Sequence, residues 1–489
     1  MNPYVALAIL SVYFLMLIIV SVYTSRGADT NTFFTANRQS PWYLIAFGMI
    51  GTSLSGVTFV SIPGSVANIQ FSYFQVVIGY LLGYLVIGTV LMPLYYRLNL
   101  ISIYTYLETR FGFWSYKSGS AVFLVSRTIG SAVRLYVAAG VLQYALFSPL
   151  GIPFELSVAI TILLIWVYTF KGGVKTIIVT DTLQTLFLIT AVVLTILLVA
   201  KELHLSSISD IVKTVKESGY SKIFYWEAND PKNFFKQFFA GAFIAIVMTG
   251  LDQDLMQKNL TCKNIGEAQK NMFWFTVTLV IVNLLFLSLG ALLYLYAQAK
   301  GITPPARTDD FYPMLALNNL GTVVGITFLL GITAATYASS DSALTALTTA
   351  FCVDFMNIGN KPEKQRAAIK FRVHVGFSIL FYLVIIVFNK LNSKEVITAV
   401  FDLAGYTYGP LLGLFSFGVF TKTAVKDRWV PVVCILAPIL TYILSQNSVN
   451  WFNGYQIGFE RLIINGLITF IGLWLLKSRN GATELGTGI

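Results

Sequence analysis

The chain has 489 residues, of which 56% are hydrophobic and only 11% are charged. A soluble protein carries about 25% charged residues, so this composition excludes a soluble domain and predicts an all-α polytopic membrane protein. The net charge of +11 would suggest a nucleic-acid partner in a soluble chain. Here the placement of lysine and arginine across membrane loops accounts for it, and no nucleic acid is expected.

The first apolar run, 3–24, has about 20 residues, no basic leader and no small-residue cleavage site, so it reads as a retained helix. Runs of spanning length follow at 42–63, 72–94, 118–147, 153–170, 176–200, 235–252, 271–298, 318–352, 371–389, 396–420, 429–446 and 457–476, thirteen in all. An odd number puts the termini on opposite sides. With the N-terminus outside, 20 of the 33 lysines and arginines fall in inner segments, which supports a cytoplasmic C-terminus. The expected location is a plasma membrane, the inner membrane in a bacterium, with no oligomeric state specified. Residues 201–236 form one long outer loop, and the tail after 476 reads as disordered.

Beyond the extra helix 3–24, ten spans divide into five and five, 42–200 and 235–420. Two extra helices lie at 429–476, and residues 1–489 form a single transporter domain. Five spans per half invert the second half relative to the first, as in many secondary transporters. In that plan the first span of each half breaks. FGMIGTSLSGVTFVSIPG has Gly51, Ser53, Ser55 and Gly56 at mid-depth, with Pro63-Gly64 expected to end the helix. AFIAIVMTGLDQDLMQKN has Thr249-Gly250 before Asp252 and Asp254. Broken backbone at membrane depth exposes carbonyls that must face a cavity or an ion.

The most informative stretch is 331–350, GITAATYASSDSALTALTTA, inside an apolar span. Asp341 is a carboxylate where a charge costs at least ~2.5–3.5 kcal/mol, and such a residue marks function by default. Ala335, Ala338, Ser339 and Ser342 share one helical face. Hydroxyls, carbonyls and a carboxylate suit a hard alkali cation. Scattered Cys262, Cys352 and Cys434, with only His204 and His374, give no disulfide framework, zinc motif or acid–base cluster, so no enzyme is expected.

TSLSGVTFVSIPG, KGGVKTIIVTDTLQ, DQDLMQK and SSDSALTALTTAFCVDF occur in that order. Together they resemble the sodium:solute symporter family, which includes the sodium-coupled sugar, proline, sialic acid, iodide and vitamin carriers. The resemblance implies a LeuT-like fold and Na+ as the coupling ion. It implies a principal sodium site formed by the carbonyls of Gly51, Leu54 and Ala335 with the Ser339 hydroxyl. Many members have two adjacent hydroxyl residues on this helix; the first falls on Ala338 here, and Ser342 or Asp341 could compensate. A one-residue shift would pair Ser339 with Ser340 instead. A second site in some members implies a cation between Asp181 and Asp341 with Ser342. Without a cation two such carboxylates repel, and one takes up a proton. Lys175 and Thr180 are the local alternatives as partners of Asp181.

For a small organic solute (a sugar, an amino acid, or sialic acid or another carboxylate), the resemblance implies contacts from Ser53, Ser55, Thr58, Phe74, Gln75, Thr128 and Arg134. Arginine suits a bidentate carboxylate contact, and Arg127 shares a helical face with Arg134. In FDLAGYTYGPLLGLF, glycines and Pro410 suggest a flexible segment, with Tyr406 and Tyr408 as gate residues. The expected activity is Na+-coupled symport by alternating access. A proton-coupled symporter using Asp341 or Asp181 is the alternative, and an ion channel is a more distant one.

Overall fold

The computed structural model describes residues 3–26, 30–169, 173–391 and 396–478. Lys171 and Arg479, counted above as inner cations, and the tail from 479 onward lie outside the described residues. The described chain is helical, with one isolated bridge between Val425 and Lys477.

Helix α1 spans Pro3–Thr24, α2 Trp42–Ser53, α3 Gly56–Ile69 and α4 Tyr73–Arg97. Then come α5 (Phe113–Leu150), α6 (Phe154–Thr169) and α7 (Gly173–Glu202). The long loop carries α8, Ile208–Glu217, whose start is fixed by a reciprocal Ser207–Asp210 capping box. The second half holds α9 (Phe234–Gly250), α10 (Gln253–Asn259), α11 (Ile265–Lys300), α12 (Gly321–Phe355) and α13 (Glu363–Leu391). The chain continues with α14 (Val396–Thr407), α15 (Gly409–Phe420), α16 (Asp427–Trp451) and α17 (Arg461–Leu475). Among the described residues, eight helices are long and apolar enough to cross a membrane, or eleven when each bent pair is one span. The apolar helices α6 and α17 are shorter.

Both expected breaks are present. Helices α2 and α3 meet at 58° around Leu54 and Ser55, where the backbone leaves helical geometry. Helices α9 and α10 meet at 68°, and Asp252 caps the new segment by accepting from the Asp254 N–H at 2.9 Å. A third bend of 45° separates α14 from α15 at Tyr408, where Pro410 sits in the first turn of α15 and suits a helix start.

Two expectations need correcting. Pro63-Gly64 does not end its helix; α3 continues to Ile69 with Pro63 inside it. Gly405, Gly409 and Gly413 are contact residues, because added Cβ atoms would strike Arg461, Asn465 and Thr469 of α17. Small residues at those positions let two helices approach closely. The same device joins α4 to α9: a Cβ on Gly79 would lie 2.0 Å from the Phe238 carbonyl, and one on Gly241 2.2 Å from that of Val76.

Helix α12 is the central post. Every residue from Gly331 to Ala350 is buried. Its small-residue composition lets α2, α5, α7 and α13 pack around it, so the polar face read from the sequence is one side of a fully enclosed helix.

Candidate functional site

The break between α2 and α3 lies against α12 and α7. The Gly51 N–H donates to Thr185 Oγ1 at 2.9 Å. A Cβ on Gly51 would come within 2.5 Å of that oxygen and 3.5 Å of the Ala338 Cβ. A Cβ on Gly56 would meet Thr336 Oγ1 at 2.2 Å. Gly51 and Gly56 therefore bracket Leu54 against the turn of α12 that holds Ala335 and Ala338. This is a broken helix end, where backbone oxygens lose their intrahelical partners. Ser339 is on the same turn, its hydroxyl donating to the Thr336 carbonyl at 2.9 Å.

The two carboxylates differ in their surroundings. Asp181 accepts from Thr52 Oγ1 at 2.9 Å and is ion-paired with Lys258. Its partner is neither Lys175 nor Thr180; the latter bonds its own helix. Lys258 is not an inner-loop cation as its sequence position suggests, since it is only 2% exposed within the bundle. Asp341 is fully buried and accepts from the Tyr168 hydroxyl at 2.8 Å, while its Oδ1 has no partner among the described residues. The Ser342 hydroxyl donates to Asp254.

Next to the break is a cavity with about 720 Å³ of atom-free space, mouth included. Ser53, Ser55, Thr58 and Arg134 line it, with Tyr73, Tyr80, Tyr84, Thr249 and Asn283. In its lining Tyr73 and Phe401 stack with centroids 6.4 Å apart. Arg127 lines it too, and is held by charge. Arg127 contacts Asp254 and lies 3.7 Å from Asp252, and Tyr408 donates to Asp252 at 2.6 Å. Arg134 makes no ion pair or hydrogen bond among the described residues. Arg127 is thus committed to the fold, while Arg134 is available in the cavity.

The remaining sequence-predicted residues stand off the cavity lining. The Gln75 amide donates to the Lys232 carbonyl at 2.8 Å and accepts from the Tyr225 N–H at 3.3 Å, which ties the long loop down. Phe74 is half-buried and Thr128 buried. Tyr406 turns away from the cavity: its ring packs on Tyr442 and beneath the Arg461 guanidinium. Thr52, Thr185, Tyr168 and Lys258 were not foreseen. The signal for Lys258 was Asp181 itself, since a carboxylate at that depth requires a partner.

A profile of the Sodium:solute symporter family matches residues 33–427. The chain belongs to the sodium:solute symporter family. It is a Na+-coupled solute symporter and not an enzyme, and the proton-coupled alternative is not favoured. This symporter is 26% identical over 485 residues to the sodium/sialic acid symporter SiaT of Proteus mirabilis, covering 94% of each chain. It is 25% identical over 473 residues to the sodium/sialic acid symporter NanT of Aliivibrio fischeri, covering 92% of this chain and 90% of that one. Its fold matches the solved outward-open structure of a Na+-coupled sialic acid symporter with a TM-score of 0.81 at 22% identity, over 96% and 97% of the two chains. It also resembles Mhp1, a nucleobase-cation-symport-1 transporter, with a TM-score of 0.54 at 13% identity, over 90% and 92% of the chains. The LeuT-like architecture expected from the sequence is therefore present.

Proposed function

We propose that this symporter carries a small solute bearing a carboxylate, such as sialic acid, with Na+ across a plasma membrane. The observation that carries the reading is the unpaired Arg134 guanidinium in the cavity, beside hydroxyls of Ser53, Ser55 and Thr58. A guanidinium fork matches a carboxylate, and hydroxyls suit a polyhydroxylated body. Thirteen spans, counting each bent pair as one and including α6 and α17, give an outer N-terminus and an inner C-terminus, with 42–200 and 235–420 as inverted repeats.

Na+ is a transported species, held by the carbonyls of Gly51, Leu54 and Ala335 and the Ser339 hydroxyl; Ala338 contributes no side-chain oxygen. Asp341, with Ser342 and Asp181 nearby in sequence or space, provides for a second cation. Sodium at the break ties α2 and α3 to α12 and favours the state in which the solute pocket is formed. The coupling is this difference in affinity between states. Release on the other side requires the Arg127–Asp252–Asp254–Tyr408 closure to part. Tyr408 acts through that closure, and Tyr406 is assigned no direct gate contact. A membrane potential assists cation entry by about 2.3 kcal/mol per charge per 100 mV.

The test is uptake of labelled sialic acid into proteoliposomes at fixed pH, with neutral monosaccharides as competitors and choline replacing Na+. The expected result is Na+-dependent uptake that monosaccharides do not displace. In Arg134→Gln, KM should rise by at least about tenfold, equivalent to ~1.4 kcal/mol. Uptake indifferent to Na+, or unaltered in Arg134→Gln, refutes the reading.

A further inference from the structure

One buried charge is used neither by the carbonyl site nor by the solute cavity. Lys258 lies on α10, after the second break, yet its ammonium reaches the first. It contacts Thr52 Oγ1, one residue past Gly51, and Asp181 Oδ2. Thr52 donates to the same carboxylate oxygen. A lysine ammonium is a compact point charge with three donors. Set between a hydroxyl and a carboxylate inside the bundle, it fills the place an alkali cation would take. Asp341 has no such companion. It forms no ion pair among the described residues, and its Oδ1, like that of Asp181, is buried and without a partner. The cluster therefore has two carboxylates and one fixed cation.

We propose that Lys258 is a tethered cation that permanently fills the Asp181 slot, so that this cluster takes one mobile Na+, at Asp341, instead of two. This rests on the Na+-coupled reading above and sets the number of ions that reading leaves open. An unneutralised carboxylate is costly at this depth, so the count of mobile ions follows the net fixed charge. Because Lys258 belongs to α10, its charge returns with the empty protein. Only the mobile ions add to the charge delivered per solute.

The experiment is equilibrium binding of ²²Na+ to the purified full-length protein in detergent at fixed pH. If wild type binds n ions, Lys258→Met should bind one more, Asp181→Asn one fewer, and the double variant n again; Lys258→Arg should keep n. A purely structural ion pair predicts equal loss of thermal stability in Na+ and choline. A tethered cation predicts that Na+, and not choline, restores stability to Lys258→Met. Should Lys258→Met not survive purification, Asp181→Asn and the double variant decide the matter. Wild-type stoichiometry in Lys258→Met, or a double variant binding fewer ions than wild type, overturns the proposal. Ser339→Ala is the control for the carbonyl site and should weaken one Na+ about tenfold in every background without changing the count at saturation. If it does not, the reading of that site fails, while the Lys258 series still gives its own answer.

Discussion

The two broken helices use the same backbone device with opposite chemistry. At the α2–α3 break the chain around Leu54 is lined by glycine, serine and the small side chains of α12, and its polar groups are mostly backbone. At the α9–α10 break Asp252, Asp254 and Lys258 crowd into seven residues. These charges fasten the segment 252–259 to α5, α7 and α12 through Arg127, Asp181 and Ser342, and to the bend before α15 through Tyr408. A site of neutral oxygens can release its ion without leaving a bare charge behind. A closure that must hold until it parts requires charge pairs. The first break is therefore suited to holding cargo and the second to holding conformation.

The largest expected effect comes from breaking the second region. Asp254→Asn leaves Arg127 with less than its full compensation deep in the bundle. Removing one partner of a buried pair costs about 3–5 kcal/mol, so the thermal midpoint in detergent should fall sharply, whatever the Na+ concentration. A drop that Na+ abolishes would mean that this region, too, holds a mobile ion.

Ser339→Ala should have an intermediate effect on the first region. Losing one oxygen should raise the Na+ concentration for half-maximal uptake by about tenfold, equivalent to ~1.4 kcal/mol, with little change in rate at saturating Na+. Unchanged sodium activation would separate the break from cation binding.

The smallest effects separate two tyrosines that look alike in sequence. Tyr408→Phe removes the hydroxyl bonded to Asp252 but leaves Asp252 facing Arg127. It should change the transport rate. Tyr406→Phe should leave uptake within about twofold of wild type, since its ring packing on Tyr442 is retained. Equal effects of the two would mean that Tyr408 does not act through Asp252.

Both breaks were legible in the sequence because Gly51, Ser53, Ser55 and Gly56, and likewise Thr249-Gly250, weaken a helix where the bilayer otherwise demands one. The role of Gly405, Gly409 and Gly413 was not. A flexible glycine and a glycine at a close crossing look alike until α17 is placed against α15. The enclosed state of α12 was half legible: its polar face followed from helical spacing, but burial on every side depended on which helices surround it.

By itself the sequence determined the membrane class, the positions where helices break, and the choice of a hard cation, because these follow from local composition and from the cost of charge in lipid. Only the tertiary structure decided how the charges pair. Lys258 and Asp181 are separated by 77 residues, and Arg127 and Arg134 differ by two turns of one helix. Which arginine is locked into the fold, and which is left to meet a solute, depends on where α10 docks. That docking is settled by long-range packing, which no local pattern encodes.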